Sequence, residues 1–142
     1  QMHFVFNGLS PYVKTDRQVL HSNQKAVSQE AIRYLLTHPS PDKSVEYNDN
    51  RIALYVAQYG KCAVTGNKLD LTEMNCHHKK PIILGGGDEY KNLIIVDGNV
   101  HRLIHASNPD TISSYMQILK LNEKMIEKIN SLRKRVQQTQ IL

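Results

Sequence analysis

The fold is decided by one stretch. It runs Met74-Asn75-Cys76-His77-His78, then Gly85-Gly86-Gly87-Asp88, then Leu93-Ile94-Ile95-Val96, then Asn99-Val100-His101-Arg102-Leu103-Ile104-His105-Ala106. Residues 74–78 have the length and composition of a short strand. The glycines, which tolerate conformations other residues avoid, predict a flexible loop. Leu93–Val96 is an apolar run of strand length, stopped by Asp97-Gly98. From Asn99 to Ala106 the apolar Val100, Leu103 and Ile104 recur at helical spacing. The order is strand, loop, strand, helix, a small ββα unit.

Two features of this unit carry chemistry. His101 and His105 stand four apart on the expected helix, so both imidazoles project from one face, one turn apart. Two such rings can share one metal ion. His77 and His78 are neighbours on a strand and must point to opposite faces. One of them could join the helical pair as a third ligand, and the other could face a separate pocket beside the metal.

Outward from the unit, the chain reads as helices. Residues 22–37 predict a helix capped by Ser22 or Asn23, with Ala26, Val27, Ala31, Tyr34 and Leu35 on one face. His38-Pro39-Ser40-Pro41-Asp42 ends it, because proline disfavours α conformation in the residue before it. This Pro/Ser stretch is the linker candidate. Residues 49–59 predict a second helix, capped by Asp49 or Asn50 and stopped by Gly60. Residues 111–137 predict one long amphipathic helix, apolar at Ile112, Tyr115, Met116, Leu119, Ile129, Leu132 and Val136. Its other face would carry Lys120, Lys124, Lys128, Arg133, Lys134 and Arg135. At the start, Met2–Phe6 predicts a short strand and Asn7-Gly8 a turn.

Composition limits the possibilities. The 142 residues suit one domain of ordinary size, too few for a polymerase or a two-domain dehydrogenase. With 40% hydrophobic residues the chain has enough for a core, although it has no Trp and only two Phe. No apolar run approaches the roughly 20 residues needed to span a bilayer, and no secretory leader is visible. Two cysteines, Cys62 and Cys76, are too few for a disulfide framework and fit a reducing, cytoplasmic compartment. The net charge of +5 is compatible with a polyanionic partner and equally with simple solubility. The chain opens on Gln1 rather than Met, which reads as the edge of a longer protein.

The residues in series resemble a known family. His77-His78-Lys79-Lys80-Pro81, a glycine-rich loop, Asn92-Leu93-Ile94 and His101-x-x-x-His105 follow the order of the HNH (His-Asn-His) endonuclease motif. His78 stands at the first H, Asn92 at the N and His101 at the last H. The flanks extend the resemblance: Tyr47 to Ile52, Gln58-Tyr59-Gly60-Lys61-Cys62 to Gly66, and Tyr90 to Val96. Over residues 45–106 the chain resembles the C-terminal region of a group II intron-encoded reverse transcriptase/maturase.

The resemblance implies an α+β fold. A ββα-metal (His-Me finger) unit over 45–110 would follow the tail of a DNA-binding region at 1–44 and precede the basic helix at 111–142. It implies one divalent metal ion on His77, His101 and His105: Mg²⁺ or Mn²⁺ in use, with Zn²⁺ or Ni²⁺ able to fill the histidine site. It implies His78 as general base, since a free imidazole titrates at about 6.5 and is mostly neutral at pH 7. Asn92 would bond across the loop through backbone groups. Lys79 or Lys80, and Arg102, are candidate DNA contacts. The substrate would be double-stranded DNA, nicked to leave a 3′-hydroxyl. Intron RNA and upstream reverse-transcriptase domains would be partners; a membrane would not. Two other readings stay open: a free-standing phage or mobile-element nuclease, and a catalytically idle nucleic-acid-binding or splicing accessory domain. Many HNH domains hold a structural zinc on CxxC pairs. Here Thr65 stands three residues after Cys62, so no such zinc is expected.

Overall fold

The computed structural model describes residues 27–141. The expected strand and turn at residues 2–8 lie outside these, as do Ser22 and Asn23. Helix α1 spans Gln29–Thr37, and its N-cap is Ser28, whose Oγ accepts from the Ala31 amide at 3.0 Å. The helix expected over residues 22–37 is corrected in its extent: residues 27 and 28 are not helical, and Ser28, directly before the first turn, satisfies one of its free amides. Ala31, Ile32 and Leu35 bury the inner face.

The Pro/Ser linker is short and tied down. The Ser40 amide donates to Asn48 Oδ1 at 2.7 Å, and Asn48 Nδ2 donates back to the Ser40 carbonyl at 3.0 Å. Helix α2, Val45–Ala57, starts a turn earlier than expected. Ser44, not Asp49 or Asn50, is its cap, accepting from the Tyr47 amide at 2.9 Å. Asp49 and Asn50 are interior helix residues, and Asn50 is buried. The helix ends as Tyr59 and Gly60 both turn left-handed, at φ 57° and 69°. A side chain at Gly60 would press on the Tyr55 hydroxyl at 3.0 Å.

Strands β1, Asn75–His78, and β2, Leu93–Val96, pair antiparallel, with His77 opposite Ile94 and His78 opposite Leu93. Helix α3, Gly98–His105, follows β2 directly and is capped by Asp97, which accepts from the Asn99 amide at 2.9 Å. Gly98 is required at this join: any Cβ there would come within 2.6 Å of the Glu73 carbonyl oxygen.

The long C-terminal helix is in fact two, α4 (Pro109–Leu119) and α5 (Glu123–Arg135). The break falls at Lys120, which is left-handed (φ 51°), and Asn122 caps the second helix by accepting from the Met125 amide at 2.9 Å. Apolar spacing runs across the break, so periodicity alone does not reveal it. One residue of the supposed basic face is also corrected. Arg133 is fully buried, and its Nη1 donates to the Leu103 and Ala106 carbonyls at 2.6 and 2.8 Å. It adds donors to the carbonyls where α3 ends, where positive charge is favoured.

The architecture is α+β: five helices and a two-stranded antiparallel sheet among the described residues. One contiguous core runs from Val27 to Ile141, with Leu35, Leu93, Ile95, Val100, Leu103, Ile104 and Ile129 at its centre. The two cysteines are free, buried thiols, and Cys62 Sγ accepts from the Asp97 amide at 3.3 Å. No helix among the described residues is long and apolar enough to cross a membrane.

Candidate metal centre

Strand β1 and helix α3 bring three histidines together. His77 points inward from β1 and is only 3% exposed. His101 and His105 face it from α3. Ring centroids lie 5.2 Å apart for His77–His101 and His77–His105, and 4.6 Å for His101–His105, all edge-on rather than stacked. The three can each offer a nitrogen, all within 4.8 Å of one another.

The chemistry of the triad fits a metal. His77 Nε2 is buried without a hydrogen-bond partner among the described residues. An orphaned buried nitrogen costs free energy unless something binds it. Burial, then repulsion from the neighbouring rings, pushes His77 down to about 3. Burial first, then His105 and Arg102, pushes His101 down to about 4, and burial lowers His105 as well. All three are therefore neutral at pH 7, the form in which imidazole ligates. Three imidazoles suit Zn²⁺, Ni²⁺ or Cu²⁺ by affinity, whereas Mg²⁺ favours oxygen.

Asn92 is buried and fully engaged. Its Oδ1 accepts from the Lys80 amide at 2.9 Å, and its Nδ2 donates to the Lys80 and Gly87 carbonyls at 3.1 and 2.8 Å. Its own carbonyl accepts from the Lys79 amide at 2.7 Å. The loop expected to be flexible is thus pinned at both ends. Gly86 lies flat under Lys80, and a Cβ there would overlap the Lys80 carbonyl.

His78 leaves β1 on the other face. Its Nε2 meets Asp88 Oδ1 at 2.7 Å, and its ring stacks on Tyr47 at 5.5 Å and 21°. Asp88 Oδ2 accepts from Ser44 Oγ at 2.6 Å, and the Asp88 carbonyl accepts from Asn50 Nδ2 at 2.8 Å. The Ser44 bond, then the His78 bond, holds the Asp88 carboxyl below the usual carboxylate range. Burial raises the Tyr47 hydroxyl, which donates to the Cys76 carbonyl at 3.0 Å.

A cleft of about 530 Å³ opens over both groups, lined by His77, His78, His101, His105, Tyr47, Lys43, Ile82 and Ile83 among others. The basic residues singled out in the sequence are not among its lining. Arg102 is exposed; its Nη1 donates to Asn99 Oδ1 at 2.9 Å and its Nη2 lies 3.9 Å from Glu73. Lys80 lies beside Gly85, and Lys79 is half-buried on the loop. Lys43, which the sequence reading passed over, lines the cleft with its ammonium 5.6 Å from the Tyr47 ring centre. Ser44, Tyr47 and the role of Asp88 were missed too. Asp88 alone had a signal: an acceptor inside a glycine-rich loop close to two histidines.

No family model, curated protein or solved structure matches the chain.

Proposed function

We propose that residues 45–110 form an HNH-type ββα-metal unit and that the protein is an endonuclease hydrolysing DNA phosphodiesters with one divalent ion. The observation that carries this reading is the pairing of two sites on one strand. His77 joins His101 and His105 in a neutral nitrogen triad, while the adjacent His78 turns to a carboxylate, and all four line one cleft. A divalent ion on the triad would supply Lewis-acid polarisation of a phosphate oxygen and charge relief at the departing 3′ oxygen.

The other roles fall to the chain itself. His78 accepts the proton of the attacking water. Asn92 ties the two ends of the loop, keeping His78 in register with the triad. Lys43 is a better-sited phosphate contact than Arg102 because it lines the cleft. Nicking that leaves a 3′-hydroxyl would suit priming of reverse transcription. That group II intron setting, with its intron RNA and upstream domains, rests on the resemblance over residues 45–106.

The test is plasmid nicking by the purified chain with Mg²⁺, Mn²⁺, Zn²⁺ or Ni²⁺, with EDTA as control. Nicking should require metal and fall by about 10²–10⁴-fold in His78→Ala. Parental nicking by His78→Ala would sink the assigned base. Undiminished metal binding by the His101→Ala/His105→Ala double variant would sink the metal centre. A protein that binds metal and DNA but never nicks would point to the idle accessory reading.

A further inference from the structure

We propose that Asp88, held by Ser44, is the positioning residue of His78: it fixes which ring nitrogen carries the proton and leaves the other free to act. The inference rests on the nuclease reading for its catalytic meaning, but its structural content stands on hydrogen-bond geometry.

Asp88 Oδ1 lies 2.7 Å from His78 Nε2. An ionised carboxylate only accepts, so Nε2 must be the donor. The carboxylate is not free to turn away. Its other oxygen takes the Ser44 hydroxyl at 2.6 Å, and that Ser44 oxygen in turn accepts from the Tyr47 amide in the first turn of α2. Its backbone is held as well, by Asn50 Nδ2 on the Asp88 carbonyl and Asn92 Nδ2 on the Gly87 carbonyl. Tyr47 stacks on the ring and prevents it from rotating out of the pair. Helix α2 and its cap therefore orient His78 through three side chains, Ser44, Tyr47 and Asn50.

With Nε2–H committed to Asp88, the neutral ring keeps its lone pair on Nδ1. That atom makes no hydrogen bond among the described residues and is not fully buried, and its ring lines the cleft. In the reaction, Nδ1 takes one proton from water and the water oxygen bonds to phosphorus. The P–O3′ bond breaks, and the 3′ oxygen leaves with the electron pair and is protonated by solvent. The Asp88 carboxylate remains ionised throughout and stabilises the imidazolium that forms.

Asp88→Asn separates this role from packing because it preserves shape. If its amide oxygen keeps the Ser44 hydroxyl, its NH₂ faces Nε2 and forces the proton to Nδ1. The same exchange in a serine-protease triad costs about 10⁴ in kcat through the wrong tautomer. The experiment records the imidazole ¹⁵N spectrum of His78 in metal-free parent, Asp88→Asn and Ser44→Ala, and their nicking kinetics with Mn²⁺. We expect the Nε2–H tautomer in the parent and its loss in Asp88→Asn. We also expect kcat to fall by about 10²–10⁴-fold at unchanged KM. Ser44→Ala, which frees one carboxylate oxygen, should lose about tenfold, a graded effect of misorientation. Retained metal affinity in both variants excludes loss of fold. A parent in the Nδ1–H tautomer, or parental turnover by Asp88→Asn, overturns the proposal. A parent that binds metal but nicks nothing overturns the nuclease reading. The orientation of His78 then stands or falls on the spectrum alone.

Discussion

Acid should unfold this protein through its histidine triad. In the metal-free chain His77 is held at about 3 and His101 at about 4, chiefly by burial. In the unfolded chain each titrates at about 6.5. Below that pH the unfolded state takes up protons that the folded state refuses. Stability is therefore fully present above about 6.5 and is lost as pH falls toward the folded values, at about 1.4 kcal/mol per unit for each group. Two groups over two units, down to about pH 4.5, cost about 5 kcal/mol, comparable to the whole stability of a marginal domain. Asp88 does not contribute in this window: its carboxyl is lowered, so its share is lost only below the ordinary aspartate range. The assay is urea unfolding followed by circular dichroism in EDTA across this range. The parent should show a slope of at least about 2.7 kcal/mol per pH unit near pH 5.5, since His105 is lowered too, and His77→Leu about 1.4 kcal/mol per unit less. Zinc at about 100 times its Kd should add about 2.7 kcal/mol at neutral pH. A flat parental profile, or the same slope in His77→Leu, would refute the argument that the triad is buried and neutral.

Three further outcomes follow from the packing. Gly86→Ala cannot keep the loop against the Lys80 carbonyl; amide exchange at Lys80 should lose protection, and nicking should fall by at least about 100-fold. Arg133→Met strips donors from the Leu103 and Ala106 carbonyls; thermal unfolding should show a loss of about 3 kcal/mol, and calorimetry weaker metal binding. Arg102→Ala removes only an exposed bond and a 3.9 Å pairing, so denaturation should move by less than about 0.5 kcal/mol. A drop in plasmid affinity for Arg102→Ala at unchanged stability would instead assign it a phosphate contact.

Local chemistry was legible in the residues. The strand Leu93–Val96 needs only its run of β-formers and the Asp97-Gly98 stop, and both strands form where the reading expects them. The i, i+4 spacing of His101 and His105 is enough to set them on one face of α3, because helix geometry fixes that relation without any partner. Alternation along β1 likewise obliges His77 and His78 to diverge. Boundaries were less legible. Ser44 and Asp49 are both good caps by type, and the choice went to Ser44, which also reaches Asp88. The apolar spacing through Lys120 records which residues face the core, and a break between two helices that share that face leaves the spacing nearly intact.

What the residue order could not carry was the identity of distant partners. That His77 rather than His78 joins the pair on α3 depends on which face of β1 the helix covers, a matter of packing settled here by Val100, Leu103 and Ile104 in the core. The Ser44–Asp88 bond spans 44 positions, and Arg133 reaches back 30 to Leu103. Such contacts exist only once the core has brought the elements together. No periodicity encodes them, because hydrophobic pattern specifies which side is inward and leaves open what it meets. The sequence thus determined the local geometry of four histidines, and the assembled core decided which three converge and which one faces Asp88.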